Sequence, residues 1–175
     1  MRALLIDDAT LKERSALDIN VQGQYIRVAV ETAQEIELQT ILGTNLLDAL
    51  CNKYAANQLA GAYLTLYNDY VVPFMVNQSV SNILLPMSYK VRNEGVVSTG
   101  SEQSTQQSLQ DVQRLETYYK NRADFYADRM TAWLTANNND IPEWKNRRSC
   151  ADMPSRPGGY TTGIYLGGGP CDCGK

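Results

Sequence analysis

The chain reads as an all-α protein: a bundle of four to five helices with one long C-terminal helix, followed by an extended arm. Three observations predict this. Apolar residues recur at steps of three and four from Ser108 to Ala136. Shorter stripes of the same period lie between Asp18 and Asn93, punctuated by Gly43, Pro73 and Pro86. Beyond Trp144 the period is lost in a run crowded with glycine and proline. Residues 1–144 are therefore expected to form a helical core, and residues 145–175 an arm with room for a short strand or hairpin at 160–166.

Taken in order, residues 1–17 suit one or two helical turns, with Thr10 and Glu13 at capping-box spacing. Asp7 and Asp8, adjacent and without a partner cluster, fit a turn or a cap better than a metal site. A first substantial helix is predicted over Asp18 to Leu42, with Val21, Tyr25, Val28, Ala29, Thr32 and Ile36 on its buried stripe. Gly43 ends it, because glycine tolerates the backbone that closes a helix, and Thr44 or Asn45 is placed to cap the next. That second helix, to about Ala56, buries Leu46, Leu47, Leu50 and Tyr54, with Cys51 beside them as a small hydrophobe. A third helical region over 59–94 is bent by Pro73 and Pro86 and stops near Asn93, with Gly95 as terminator. Its tyrosines can bury their rings while their hydroxyls reach a polar rim.

The polar stretch 96–107 reads as a loop, and the long helix follows. Ser108 with Asp111 caps its first turn, and Asn137 to Asn139 suit its exit. Val112, Leu115, Tyr119, Ala123, Tyr126, Met130 and Trp133 form the predicted core face. Gln110, Gln113, Thr117, Lys120, Asn121, Asp124 and Asp128 lie opposite. At ~1.5 Å per residue this is a rod of roughly 40 Å, and other helices must cover its apolar face.

Composition narrows the function classes. The chain has 175 residues, enough for one domain with a core that needs neither disulfide nor metal. It has no histidine, which removes imidazole acid/base chemistry, Ser-His and Cys-His nucleophiles and His-bearing zinc sites. No catalytic, cofactor-binding or metal-binding residue is assigned, and the expected role is not enzymatic. No run reaches the ~18 to 20 apolar residues that span a bilayer, and the N-terminus lacks the form of a secretory signal. A protein kept in a reducing cytoplasm is expected, without membrane contact.

The net charge of −3 is too small to steer DNA, but its distribution is uneven. Residues 1–50 carry four basic and eight acidic side chains, whereas the end of the chain carries Lys145, Arg147, Arg148, Arg156 and Lys175 against Asp152 and Asp172. A basic arm of one copy can dock on the acidic body of another.

Cys171 and Cys173, with Cys150 upstream, invite a metal reading, yet the CxC spacing and the lack of histidine leave free thiols as the better account. Gly167 to Pro170 lacks the strand, helix and GK[ST] of a phosphate loop. A second stripe on the long helix, Tyr118, Arg122, Phe125 and Arg129, alternates aromatic and arginine at spacings of four, three and four. That composition is enriched at protein interfaces.

Several short pieces occur in a telling order: Asp7-Asp8 with Leu11-Lys12, Ala33-Gln34-Glu35, Ile41-Leu42-Gly43-Thr44, Asn93-Glu94-Gly95-Val96, and Pro142-Glu143-Trp144. Together they resemble the head-to-tail connector family of tailed bacteriophages, over roughly residues 5–145. They are most similar to the versions in phages of gut Bacteroides-type hosts, including the crAss-like group. The resemblance implies a virion protein forming a ring of twelve copies under the portal. Such a ring extends the DNA channel and meets further neck or tail rings. Its expected partners are itself, the portal protein, those rings, and double-stranded DNA in non-specific passage. Expected interface residues are the stripe Tyr118, Arg122, Phe125 and Arg129 and, in the arm, Trp144, Arg147, Arg148, Tyr160, Ile164, Tyr165 and Leu166. The alternative is a helical nucleic-acid-binding or regulatory module using the basic cluster at 145–148.

Overall fold

The free amides at the start of a helix need acceptors, and Asp7 supplies one for the first helix. The computed structural model, which describes residues 2–92, 95–98 and 108–145, places α1 at Asp8–Arg14. The Asp7 carboxylate accepts the Thr10 N–H at 2.8 Å, and hydrogen bonds from Thr10 hold its pKa below the usual carboxylate value. The expected Thr10–Glu13 box is therefore replaced by Asp7, because Thr10 already lies inside the helix. Asp8 pairs with Lys12 one turn on at 3.1 Å.

The next rod starts later than expected. Asp18 accepts the Asn20 N–H at 2.7 Å in a local turn, and α2 begins at Gly23. The rod comprises α2 (Gly23–Thr32), a π-helical stretch (Ala33–Leu38) and α3 (Gln39–Leu42), with helical backbone at both joins. The buried face also differs. Ala29 is buried and Val21 and Tyr25 pack against the core, as expected, but Val28 and Ile36, predicted to be inside, are 63% and 61% exposed, and Ile26, Val30, Ala33, Leu38 and Leu42 are buried instead. The rod offers two apolar faces, and the packed one carries the small alanines that let another helix approach closely. Gly43 closes the rod at φ 76°, as its sequence predicts. It also serves as the N-cap of α4 (Thr44–Ala55), so the helix starts at Thr44 and the expected Thr44 or Asn45 cap is displaced by one position or more. Leu46, Leu47, Leu50 and Cys51 of α4 are buried, as expected.

The third rod is continuous through Pro73. It consists of α5 (Gly61–Leu66), a second π-helical stretch (Tyr67–Val71) and α6 (Val72–Ser88). A proline ring clashes with the carbonyl four residues back. Here that carbonyl belongs to Asp69, inside the widened π turn, so the expected break at Pro73 becomes a local loosening. The rod does not reach Asn93. Two residues after Pro86 it ends, and β1 (Tyr89–Arg92) pairs antiparallel with β2 (Gly95–Ser98), Val91 in register with Val96. The β-branched valines favour the pleated form over a further helical turn.

The core is built around α6, whose residues 74–81 are buried on every side. It packs most extensively on α7 (Leu109–Ala136) and also on α2, while α2 and α7 share few contacts. Three buried polar side chains of α6 find partners, whereas the Ser79 hydroxyl, fully buried, has none among the described residues. Asn77 donates to the Pro73 carbonyl at 2.7 Å, Ser81 donates to the Glu116 carbonyl of α7 at 3.3 Å, and Gln78 donates to Glu37 of the first π stretch at 3.3 Å. The short α8 (Pro142–Lys145) closes one end, with Ile141 and Trp144 buried.

The N-terminal segment joins this core through side chains of the two π stretches. Gln34, fully buried, accepts the Leu5 N–H at 2.9 Å and donates to the Ala3 carbonyl at 3.1 Å. Tyr67 donates its hydroxyl to the Leu5 carbonyl at 2.7 Å. Nearby, Arg2 reaches Asp48 at 2.5 Å, Glu35 at 2.6 Å and Gln39 at 2.9 Å. Burial pulls the Arg2 pKa down, but the Asp48 hydrogen bond and the charges of Glu35 and Asp48 outweigh it and raise the value.

Replacing Gln34→Leu leaves the Leu5 N–H and the Ala3 carbonyl without these partners and is expected to cost on the order of 3 kcal/mol, read as a lower urea midpoint. Tyr67→Phe, which removes one hydrogen bond only, is expected to cost about 1 kcal/mol in the same measurement.

Candidate functional site

The helix α7 has two working faces. Ser108 caps it, accepting the Asp111 N–H at 3.3 Å, and Asn137 ends it, as the sequence predicts. Val112, Ala123, Met130 and Leu134 are buried, with Tyr119, Tyr126 and Trp133 partly buried against the core. Gln110, Gln113, Thr117, Lys120, Asn121, Asp124 and Asp128 are exposed. The correction concerns Leu115, assigned to the core face but 45% exposed. Leu134 takes the buried role at the other end.

Leu115 instead joins the aromatic and arginine stripe. Tyr118 is 54% and Phe125 58% exposed. Arg122 donates to the Tyr118 hydroxyl at 3.4 Å and lies 5.6 Å over its ring. Arg129 lies 5.7 Å from the Phe125 ring and 5.6 Å from that of Tyr70 in the second π stretch. Tyr118 and Phe125 meet Tyr119 and Tyr126 edge to face, so the exposed rings are braced by half-buried ones. Between them opens a shallow groove of about 380 Å³ lined by Tyr118, Asn121, Arg122, Phe125 and Tyr126. Among the described residues neither arginine has a carboxylate at ion-pair distance. Two guanidinium groups, two exposed rings and an open groove suit a protein surface that brings rings or carboxylates of its own.

The other expected contact residues divide. Trp144 is 8% exposed and packs into the core where α8 meets α4, so it holds the bundle together and does not face outward. Its neighbour Glu143 accepts the Tyr63 hydroxyl. Burial, with this bond and the Glu143 charge, raises the Tyr63 pKa. Lys145 donates to Asn139 at 3.0 Å. Arg147, Arg148, Tyr160, Ile164, Tyr165 and Leu166, together with Cys150, Cys171, Cys173 and the glycine-rich run, lie outside the described residues.

No cluster of three or more His, Cys, Asp or Glu able to hold a metal occurs among the described residues. None of their helices is long and apolar enough to cross a membrane. Cys51 is 3% exposed, and burial pushes its thiol up to about 11, which suits packing and not nucleophilic attack.

The surface feature that sequence reasoning missed is the outer face of the 23–42 rod. Val28 and Ile36 stand exposed there, and the hydroxyls of Thr32 and Thr40 turn back to the carbonyls of Val28 and Ile36. Periodicity alone assigned Val28 and Ile36 to the core, because they follow Ala29 and Tyr25 at helical spacing.

The profile of a family described as a family of unknown function, DUF6712, matches residues 38–153. No curated protein and no solved structure matches the chain.

Trp144→Ala is expected to cost about 3–5 kcal/mol in chemical denaturation, as deletion of a buried aromatic does, whereas Phe125→Ala stays within about 0.5 kcal/mol. Because the Cys51 thiol ionises near 9.0 when unfolded and near 11 when folded, its contribution is present below pH 9 and lost as pH rises through that window. Subtracting the denaturation profile of Cys51→Ala from that of the parent isolates this alkaline loss.

Proposed function

Because the chain belongs to DUF6712, a family of unknown function, we propose a role for it from its own surface and sequence: a structural, non-enzymatic ring subunit in the neck of a tailed bacteriophage. The ring sits below the portal, extends the DNA channel and joins capsid to tail. It is assembled in the bacterial host cytoplasm and ends in the virion.

The observation that carries this reading is a pair of separate exposed apolar faces on two rods that each pack on α6. One holds Val28 and Ile36; the other holds Leu115, Tyr118 and Phe125. A ring of twelve copies passes one face of a subunit to a different face of the next, and a chain with two unlike faces meets that requirement. The acidic N-terminal third and the basic arm give the neighbours opposite charge, and the arm residues Arg147, Arg148, Tyr160, Ile164, Tyr165 and Leu166 supply a clasp.

The pieces that resemble connector proteins support the same reading, since each described one has a task in the fold. Asp7-Asp8 caps and braces α1, Gln34 and Glu35 dock the N-terminal segment, Gly43 turns one rod into the next, and Glu143-Trp144 closes the bundle. An acidic channel lining repels DNA and lets it pass without grip.

The test is negative-stain imaging of the purified chain with the portal of the same phage. A ring stacked beneath the portal is expected. Steep salt-dependent binding of the free chain to duplex DNA, with no affinity for the portal, favours the nucleic-acid module built on the 145–148 cluster and overturns the ring.

A further inference from the structure

The exposed seam of α7 is self-complementary. Leu115, Tyr118, Arg122, Phe125, Arg129 and Ala132 follow one another at steps of three, four, three, four and three, which reads the same from either end. This is the spacing of a helix-pairing seam. It lies beside the buried face of α7, offset from it by roughly a third of a turn, and all six residues are exposed. Turned antiparallel, a second copy of the seam sets Leu115 against Ala132, Tyr118 against Arg129 and Arg122 against Phe125. The large leucine then meets a small alanine, and each guanidinium meets a ring. Parallel pairing instead sets Arg122 on Arg122 and Arg129 on Arg129, like charge on like.

The groove has the form this pairing needs. Tyr118, Asn121, Arg122 and Phe125 stand at i, i+3, i+4 and i+7, the four corners of a hole that receives one side chain from a facing helix. The residue that the antiparallel register brings over this hole is Phe125 of the second copy. Asp128 lies about one turn from the incoming Arg122, so a carboxylate flanks a guanidinium that has no ion pair among the described residues of its own chain.

We infer that α7 pairs with α7 of a second copy, antiparallel, about a two-fold axis passing between Arg122 and Phe125. Every contact is made twice across that axis. The pair stands on the α7 surface alone. One consequence rests on the neck reading: a closed pair cannot propagate, so free copies wait as dimers until the portal offers a competing surface.

The test uses the full chain without portal, in sedimentation equilibrium, with circular dichroism confirming that helix content is unchanged. The parent is expected to be a dimer. Arg122→Glu and Phe125→Lys are each expected to weaken it roughly tenfold or more, since each change counts twice. Mixing the two variants restores a dimer. In the mixed pair the introduced carboxylate faces the introduced ammonium across one contact, and the parent Arg122–Phe125 contact survives across the other. A monomeric parent, whose seam is covered by its own chain or awaits another protein, overturns the inference. Assemblies larger than a dimer, or variants that do not rescue each other, overturn it as well. Failure to bind a portal leaves this result untouched and tells only against the neck reading.

Discussion

Leu5 is held by its backbone from both sides, its N–H by Gln34 and its carbonyl by Tyr67, and the fold turns on that grip. A buried extended segment carries amides and carbonyls that no helix of its own satisfies, so it stays inside only where side chains complete its hydrogen bonds. Both side chains come from π-helical stretches, one in each of the two rods that lie before and through α6. A π turn costs regular hydrogen-bond geometry and is kept where a side chain must be aimed. With Leu5 and Ile6 fixed, the 23–42 rod, α4 and the 61–88 rod share one apolar interior. Burial of the Tyr67 hydroxyl, with Tyr54 close by, raises its pKa and keeps it protonated as the donor that the grip needs.

The division of labour along α7 follows from its position at the edge of the bundle. A helix surrounded by others is apolar all round, as the middle of α6 nearly is; a helix covered on one side has a second side free to differ. On α7 the covered side is filled by Val112, Ala123, Met130 and Leu134, and the free side is divided between an ordinary polar row that includes Lys120, Asp124 and Asp128 and a strip of rings and arginines beside it. Half-buried Tyr119 and Tyr126 link the two, so the exposed rings stand on a fixed base. A preorganised surface loses less side-chain freedom when it is covered.

The long helix, its Ser108 cap, the Gly43 turn and the burial of Cys51 were legible in the sequence because each depends on local chemistry or on a single unambiguous period. The 23–42 rod was legible only in part: Ala29 and Tyr25 pack inward as their spacing suggests, but Val28 and Ile36, at the same spacing, stay outside because α6 packs on the side that carries Ile26, Val30 and Ala33. Pro73 was misleading for a related reason: its clash is real, but the preceding π turn absorbs it, and such a turn leaves no mark in hydrophobic spacing. Gln34 carried no visible signal, because a buried glutamine is recognised only from the segment it serves. The helix end at Ser88 was hidden by apolar residues that suit helix and strand alike. On α7 the aromatic and arginine stripe was readable from spacing, and Leu115 was misassigned because it lies on the border between the two faces. Trp144 is the opposite error, an aromatic beside a basic arm whose burial is decided by α4.

The placement of the two tryptophans has an optical consequence. Trp133 meets Tyr70 at 5.3 Å between ring centroids and Trp144 is buried beside α4, and the chain has no other tryptophan. Indole emission therefore reports on how α7 and α8 sit against the rest of the bundle, and not on the contacts that the earlier helices make among themselves.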